Sequence, residues 1–227
     1  MARTRTEALS RERIVEAAVE LLDAAGERGL TFRTLTERLS TGPGAIYWHV
    51  PNKGALLDAA TASVVGAALT IEATGSPLRE IRAIALGLFD AIDRHPWLPA
   101  QLTAQLSRSP WGSVTPRIFE GIGRRVSALG SPEATWFTAT SALVHYIFGA
   151  AGQNIANSKV LGPGVDRAEF LRAAANAWGE LDPAEFPFLR SIADEVREHD
   201  DREQFLTGID LILTGITGAE PGGSSRP

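Results

Sequence analysis

Residues 30–53 read LTFRTLTERLSTGPGAIYWHVPNK, and this stretch decides the fold. Thr31 stands where a helix N-cap belongs, ahead of Phe32, Leu35 and Leu39 at helical spacing, with Arg33, Thr34, Glu37 and Arg38 left for solvent. Ser40, Thr41 and Gly42 break that helix. Pro43 suits the first turn of a second one, where its missing N–H costs nothing, and Ala45 to His49 follow. Val50-Pro51 must end it, because a residue before proline avoids the α region. Two short helices around a tight turn form the pattern of a helix-turn-helix. In that motif the second helix offers its N-terminal end to base edges in the major groove while its neighbour crosses the backbone. Arg33 and Lys53 are then placed to meet phosphate, with Thr31 and Thr34 beside them as further candidates.

Upstream, Ser10 caps a helix carrying Ile14, Ala17, Ala18, Leu21, Leu22 and Ala25 on one face and ending near Gly26 to Gly29. Downstream, Asn52 caps a helix expected to run to about Glu72, striped with Leu56, Leu57, Ala60, Val64 and Ala68. Ser76-Pro77, Thr115-Pro116 and Ser131-Pro132 each read as a helix start, a capping side chain before a proline at the first helical position. Short helical patterns also occupy about 97–106, 167–178, 188–199 and 203–217. No alternating strand pattern competes with them. The expected fold is all-α: a three-helix DNA-binding head at 1–53, a helical ligand-binding and dimerisation domain at 54–217, and a flexible tail at 218–227.

The chain has 227 residues, enough for a sizeable core, and no cysteine, which excludes disulfides and thiolate metal sites and suits a reducing cytoplasm. No apolar leader follows the basic N-terminus, so a cytoplasmic location is expected. The net charge of -5 is unevenly spread: residues 1–53 hold eight Arg/Lys against seven Asp/Glu, and the remainder fourteen against twenty. Charge therefore permits a nucleic-acid partner without demanding one, and Arg3, Arg5, Arg33 and Lys53 would have to carry the phosphate contacts.

The stretch from Ala134 to Ser158 holds no Asp, Glu, Lys or Arg, long enough to cross a bilayer by length alone. Its Thr138, Thr140, Ser141, His145, Gln153 and Asn154 fit better a helix buried by its own domain and a partner subunit. With the apolar 203–217 segment it predicts a four-helix homodimer seam, with no membrane. Catalytic signatures are lacking: no G-x-S-x-G elbow, H-E-x-x-H, P-loop or G-x-G-x-x-G after a strand, and His49, His95, His145 and His199 stand isolated. An enzyme is not expected.

Arg13-Ile14, Ala17-Ala18, Leu21-Leu22, Gly29-Leu30-Thr31, Arg33, Leu35, Leu39, Ile46-Tyr47-Trp48-His49-Val50 and Asn52-Lys53 resemble the N-terminal domain of the tetracycline-repressor (TetR) family. Thr36 and Ser40-Thr41 depart from its pattern, where alanine, and glycine with a small apolar residue, are common. The resemblance implies backbone contacts from Tyr47, His49 and Lys53, with Trp48 packed inside the head, and places Pro43, Gly44 and Ala45 at the base-reading positions. None of those three has a polar side chain. Direct readout would be apolar, leaving Arg33, Thr34, main-chain groups and DNA shape to carry more of the specificity.

Ser141-Ala142-x-x-His145-x-x-x-Gly149 and Gly208-Ile209-Asp210-x-Ile212-Leu213-x-Gly215 are similar to the regulatory domain of the tetracycline-repressor class. That similarity implies that His145 lines a drug cavity. Gln153 replaces the glutamate that helps hold the drug's magnesium, and 98–116 contains no histidine to supply the other ligand, which speaks against a tetracycline-magnesium effector and leaves no metal or cofactor expected. Trp97, Gln101, Gln105, Trp111, Phe119, Phe137, His145, Phe148, Gln153 and Trp178 are the ingredients of a largely apolar cavity for a small apolar, aromatic or polycyclic effector, although each aromatic alone reads as core. The expectation is a homodimeric, ligand-responsive regulator of double-stranded DNA, most simply a repressor. The alternative is a helical small-molecule-binding protein that does not touch DNA.

Overall fold

A computed structural model describes residues 9–108, 111–161 and 166–218. The described residues form helices and contain no strand. The head is α1 (Arg11–Gly29), α2 (Phe32–Leu39) and α3 (Pro43–His49). The body comprises α4 (Lys53–Ala68), α5 (Pro77–Arg94), α6 (Leu98–Arg108), α7 (Val114–Ser127), a single 3₁₀ turn over Glu133–Thr135, α8 (Trp136–Leu161), α9 (Arg167–Gly179), α10 (Pro187–Ser191), α11 (Ala193–Arg197) and α12 (Asp201–Gly218). The tail beyond Gly218, the Gly162-Pro163-Gly164 loop, and Arg3 and Arg5 lie outside the described residues.

Local signals start most of the early helices. The Ser10 hydroxyl accepts from Arg13 N–H at 3.3 Å, Asn52 Oδ1 from Ala55 N–H at 2.8 Å, and Ser76 from Arg79 N–H at 3.5 Å. The other two Ser/Thr-Pro pairs do not cap. α7 already begins at Val114, so Thr115 lies inside the helix with its hydroxyl buried and unpaired. Ser131-Pro132 leads into the 3₁₀ turn, and α8 starts only at Trp136. α4 ends at Ala68, short of Glu72, and the expected 188–199 helix is broken into α10 and α11 at Ile192.

The core is continuous from head to body. Ile14, Ala18, Leu35 and Ile46 close the head, and Leu56, Ala60 and Val65 of α4 carry the apolar contact on to Ile81, Leu88, Ile118 and Leu143. α4 is buried on most of its circumference and belongs to both units. α5 lies central in the body, against α4, α7, α8 and α12. The last turn of α1 is displaced at Gly26, whose φ of 62° and ψ of -167° are accessible to glycine alone.

Candidate functional site

α3 is braced from behind and open in front. Ile46 and Val50, one turn apart, are fully buried in the core that the head shares with α4. Tyr47 stacks on Phe32 with ring centroids 4.3 Å apart, which fixes the entry angle of α3 on α2. Pro43, Gly44 and Ala45, the expected base-facing positions, are all exposed at the N-terminal end of α3. Trp48 is 89% exposed, which corrects the expectation that it packs inside the head. The spacing contained the answer: two residues from Ile46 is about 200° around a helix, the far side from the core.

The turn between the helices takes the left-handed conformation at Ser40, with φ 50° and ψ 46°, where glycine is commoner in the resembled pattern. α2 is held by a reciprocal cap: Thr31 Oγ1 accepts from Thr34 N–H at 3.1 Å while Thr34 Oγ1 accepts from Thr31 N–H at 3.0 Å. Thr34 also donates to the Gly29 carbonyl. The hydroxyls of Thr31 and Thr34 thus build the head before anything else.

Arg33 is almost fully exposed and ion-paired with Glu37 at 3.0 Å, one turn along the same helix. Lys53 Nζ donates to the Glu27 carbonyl at 2.7 Å, tying the start of α4 to the displaced last turn of α1, with two ammonium donors left over. His49 is half-buried near the first turn of α1; there the Glu12 backbone N–H, then Ser10 and the Arg11 charge, hold the Glu12 carboxyl below its usual range.

The ten residues expected to form one ligand cavity are not brought together. Trp97, Gln101 and Gln105 face the head and α4: Trp97 Nε1 donates to Asp23 at 2.7 Å, Gln101 Nε2 to Glu27 at 3.1 Å, and Gln105 Nε2 to Asp58 at 3.1 Å. His95 Nδ1 lies 2.7 Å from the same Asp23 oxygen. Phe119 and Phe137 stack, with centroids 6.4 Å apart, at an outer groove between α7 and α8. His145 and Gln153 are exposed on α8, and Gln153 donates to Asn157 one turn on. Phe148 is half-buried against the core, Trp111 is 82% exposed, and Trp178 lines a separate cleft between α9, α11 and α12. The Asp23, Glu27 and Asp58 acceptors were not legible in the sequence, where they look like solvated charges on helix faces.

On α8 the exposed stripe runs through Thr138, Ala142, His145 and Gly149, and on α12 through Thr207, Leu211, Thr214 and Gly218. An apolar groove of about 360 Å³ between Thr138, Ala142, Ile212 and Ile216 joins the two stripes. Among the described residues no helix is long and apolar enough to cross a membrane, and no group of three His, Cys, Asp or Glu could hold a metal ion.

Comparison with known proteins accounts for both halves. The solved transcriptional regulator SCO7222, a TetR protein of Streptomyces coelicolor, superposes with a TM-score of 0.86 at 65% identity, covering 92% of this chain and 98% of that one. The HTH-type transcriptional repressor DrrR1 of Streptomyces coeruleorubidus is 28% identical over 92% of this chain and 77% of its own. An HTH-type transcriptional regulator of Saccharopolyspora erythraea is 32% identical over 63% of this chain, and the chain spans 59% of that relative's length. Residues 14–60 match the family described as bacterial regulatory proteins, tetR family, and residues 75–219 the tetracyclin repressor-like C-terminal domain. With those matches over both the head and the body, this chain belongs to the TetR family of bacterial regulatory proteins.

Proposed function

We propose that this chain is a homodimeric transcriptional repressor whose two helix-turn-helix heads read a palindromic operator and whose grip is released by a small aromatic effector. One observation carries the DNA reading: α3 is locked from behind by Ile46, Val50 and the Phe32–Tyr47 stack, yet presents Pro43, Gly44, Ala45 and Trp48 to solvent. A rigid short helix with a bare N-terminal end fits a major groove. Tyr47, His49, Arg33 and Lys53 surround it as phosphate partners, and Trp48 adds a flat apolar face for thymine methyls or sugar.

The partner subunit covers the α8 and α12 stripes. Small residues at Ala142, Gly149, Thr214 and Gly218 allow close helix approach, and Leu211, 71% exposed in the single chain, becomes the buried anchor of the seam. His145 then sits at the seam. Leu213, 3% exposed, already belongs to the protomer's own core.

The corner of α5 and α6 is the coupling element. Through Asp23 and Glu27 it holds α1, and through Asp58 it holds α4, so a ligand that moves α6 moves the head. The effector's differential affinity for the two arrangements sets how far DNA binding falls, and DNA weakens the effector reciprocally. As a DNA-directed regulator the protein acts in the cytoplasm and performs no catalysis. An electrophoretic shift with the chain's own upstream DNA tests the reading: a shift abolished by Tyr47→Ala in a folded dimer supports it, and no shift at low salt refutes it.

A further inference from the structure

A cleft of about 530 Å³ opens between head and body, where α1 crosses α4 and α5. That volume is in the range of small-molecule sites. Its wall includes Val64, Ala67, Ala83 and Gly87, so the floor is apolar and flat. Gly87 is required there: a Cβ on it would fall 2.5 Å from the Ala68 carbonyl oxygen, so α4 ends hard against α5. None of the residues expected from the sequence to hold an effector lines this space.

Three carboxylates, one guanidinium and one imidazole line the cleft. Glu20 is paired with Arg38 and Asp90 with Arg202, which neutralises both carboxylates. Arg94 lines the cleft with no ion-pair partner among the described residues. Beside it, the His95 ring forms cleft wall while its Nδ1 edge holds Asp23 of the head.

We infer that this cleft binds a small aromatic carboxylic acid, with its carboxylate on Arg94 and the His95 ring and its flat body on the floor formed by Ala67, Ala83 and Gly87. The chemical class follows from the groups present: a guanidinium with no ion-pair partner among the described residues, beside an imidazole already engaged by a carboxylate, above a shallow apolar surface that suits a ring. Glu16, also without a partner among the described residues, can accept from a ring hydroxyl. An acid seated there sets a second carboxylate against the imidazole that holds Asp23. Occupancy is thereby coupled to the contact between α1 and the body, and the site deepens the repressor reading by naming the effector's chemistry.

The test uses the full-length protein and 2-naphthoate, with 2-naphthylmethanol as the neutral analogue, read by calorimetry and by operator shift. Saturable binding of the acid, at least ten-fold tighter than the alcohol, is expected below about 1 mM. Arg94→Gln should weaken the acid about ten-fold or more without changing the alcohol, and Ala83→Trp should block both, each with operator binding intact. Asp23→Asn should tighten the acid several-fold by removing a neighbouring negative charge. Absence of acid binding, or binding indifferent to Arg94→Gln and Ala83→Trp, overturns the site. Weaker binding in Asp23→Asn overturns the link between the acid and the Asp23 contact. If the chain binds its operator while the acid fails, only this inference falls, whereas a chain that binds no DNA loses the repressor reading whatever the acid does.

Discussion

Trp97 Nε1 donates to Asp23 Oδ1 at 2.7 Å, across the boundary between body and head and 74 residues apart in sequence. The indole is buried, so its N–H has no water to turn to if the carboxylate is removed. Asp23→Ala should therefore destabilise the fold by about 1–3 kcal/mol and loosen the head on the body. Thermal unfolding measures the first effect, and a loss of operator affinity larger than the loss of folded fraction measures the second. Equal affinity per folded dimer would remove this corner from the coupling path.

Ser40 occupies the left-handed region at φ 50°, which costs a residue with a Cβ more than it costs glycine. Ser40→Gly should raise stability by about 0.5–1 kcal/mol in chemical denaturation, since relief of strain exceeds the added chain entropy. A destabilised variant would mean that the serine hydroxyl contributes more than the strain removes.

Gly208 of α12 lies under Tyr146 of α8, whose hydroxyl donates to the Phe205 carbonyl at 3.3 Å and whose ring stacks on Phe205. A Cβ at 208 would collide with that hydroxyl, so Gly208→Ala should cost about 1–3 kcal/mol by overpacking. Tyr146→Phe should cost less, and the double variant should not recover the full loss.

Glu80 accepts from the Thr74 N–H, and from Arg125 and the Gly75 N–H, which together hold its carboxyl below the usual range. A carboxyl depressed in the folded state takes up its proton more readily when unfolded. Its stabilising effect is thus complete above the ordinary carboxylate range and is lost as pH falls through the folded value. Glu80→Gln should flatten the acid side of the stability profile and leave the slope near neutrality unchanged. An unchanged acid limb would show that the bonds to 74, 75 and 125 do not hold in solution.

Leu211→Glu should give folded monomers, because the charge would be buried only in the dimer. Leu213→Glu should unfold the protomer instead, since that side chain is already inside it. Sedimentation and circular dichroism separate the two outcomes, and a stable Leu211→Glu dimer would move the seam elsewhere.

What the sequence disclosed and what it hid divide along physical lines. Ser10, Thr31, Asn52 and Ser76 cap helices within three residues of themselves, so their roles are local and readable. The head and the family resemblance follow from the same local patterns. Thr115 and Ser131 carry the same signature but are buried by distant packing, and their helices start elsewhere. Where each residue of the expected cavity lies was hidden for a related reason. Helical spacing puts Trp97, Gln105, His145 and Trp178 on faces but does not say which neighbour covers each face. Only tertiary packing sends Trp97 to Asp23, Gln105 to Asp58 and His145 to the outside of α8.

Paired, rigidly mounted α3 helices gripping duplex DNA are the central claim, and a titration of the full-length protein with its own upstream duplex, over a series of salt concentrations, tests it most directly. The expected result is two chains per duplex, with affinity falling steeply as salt rises and a slope reduced by about one in each of Arg33→Ala and Lys53→Ala. A single chain per duplex, a slope indifferent to both substitutions, or no complex at low salt would contradict it.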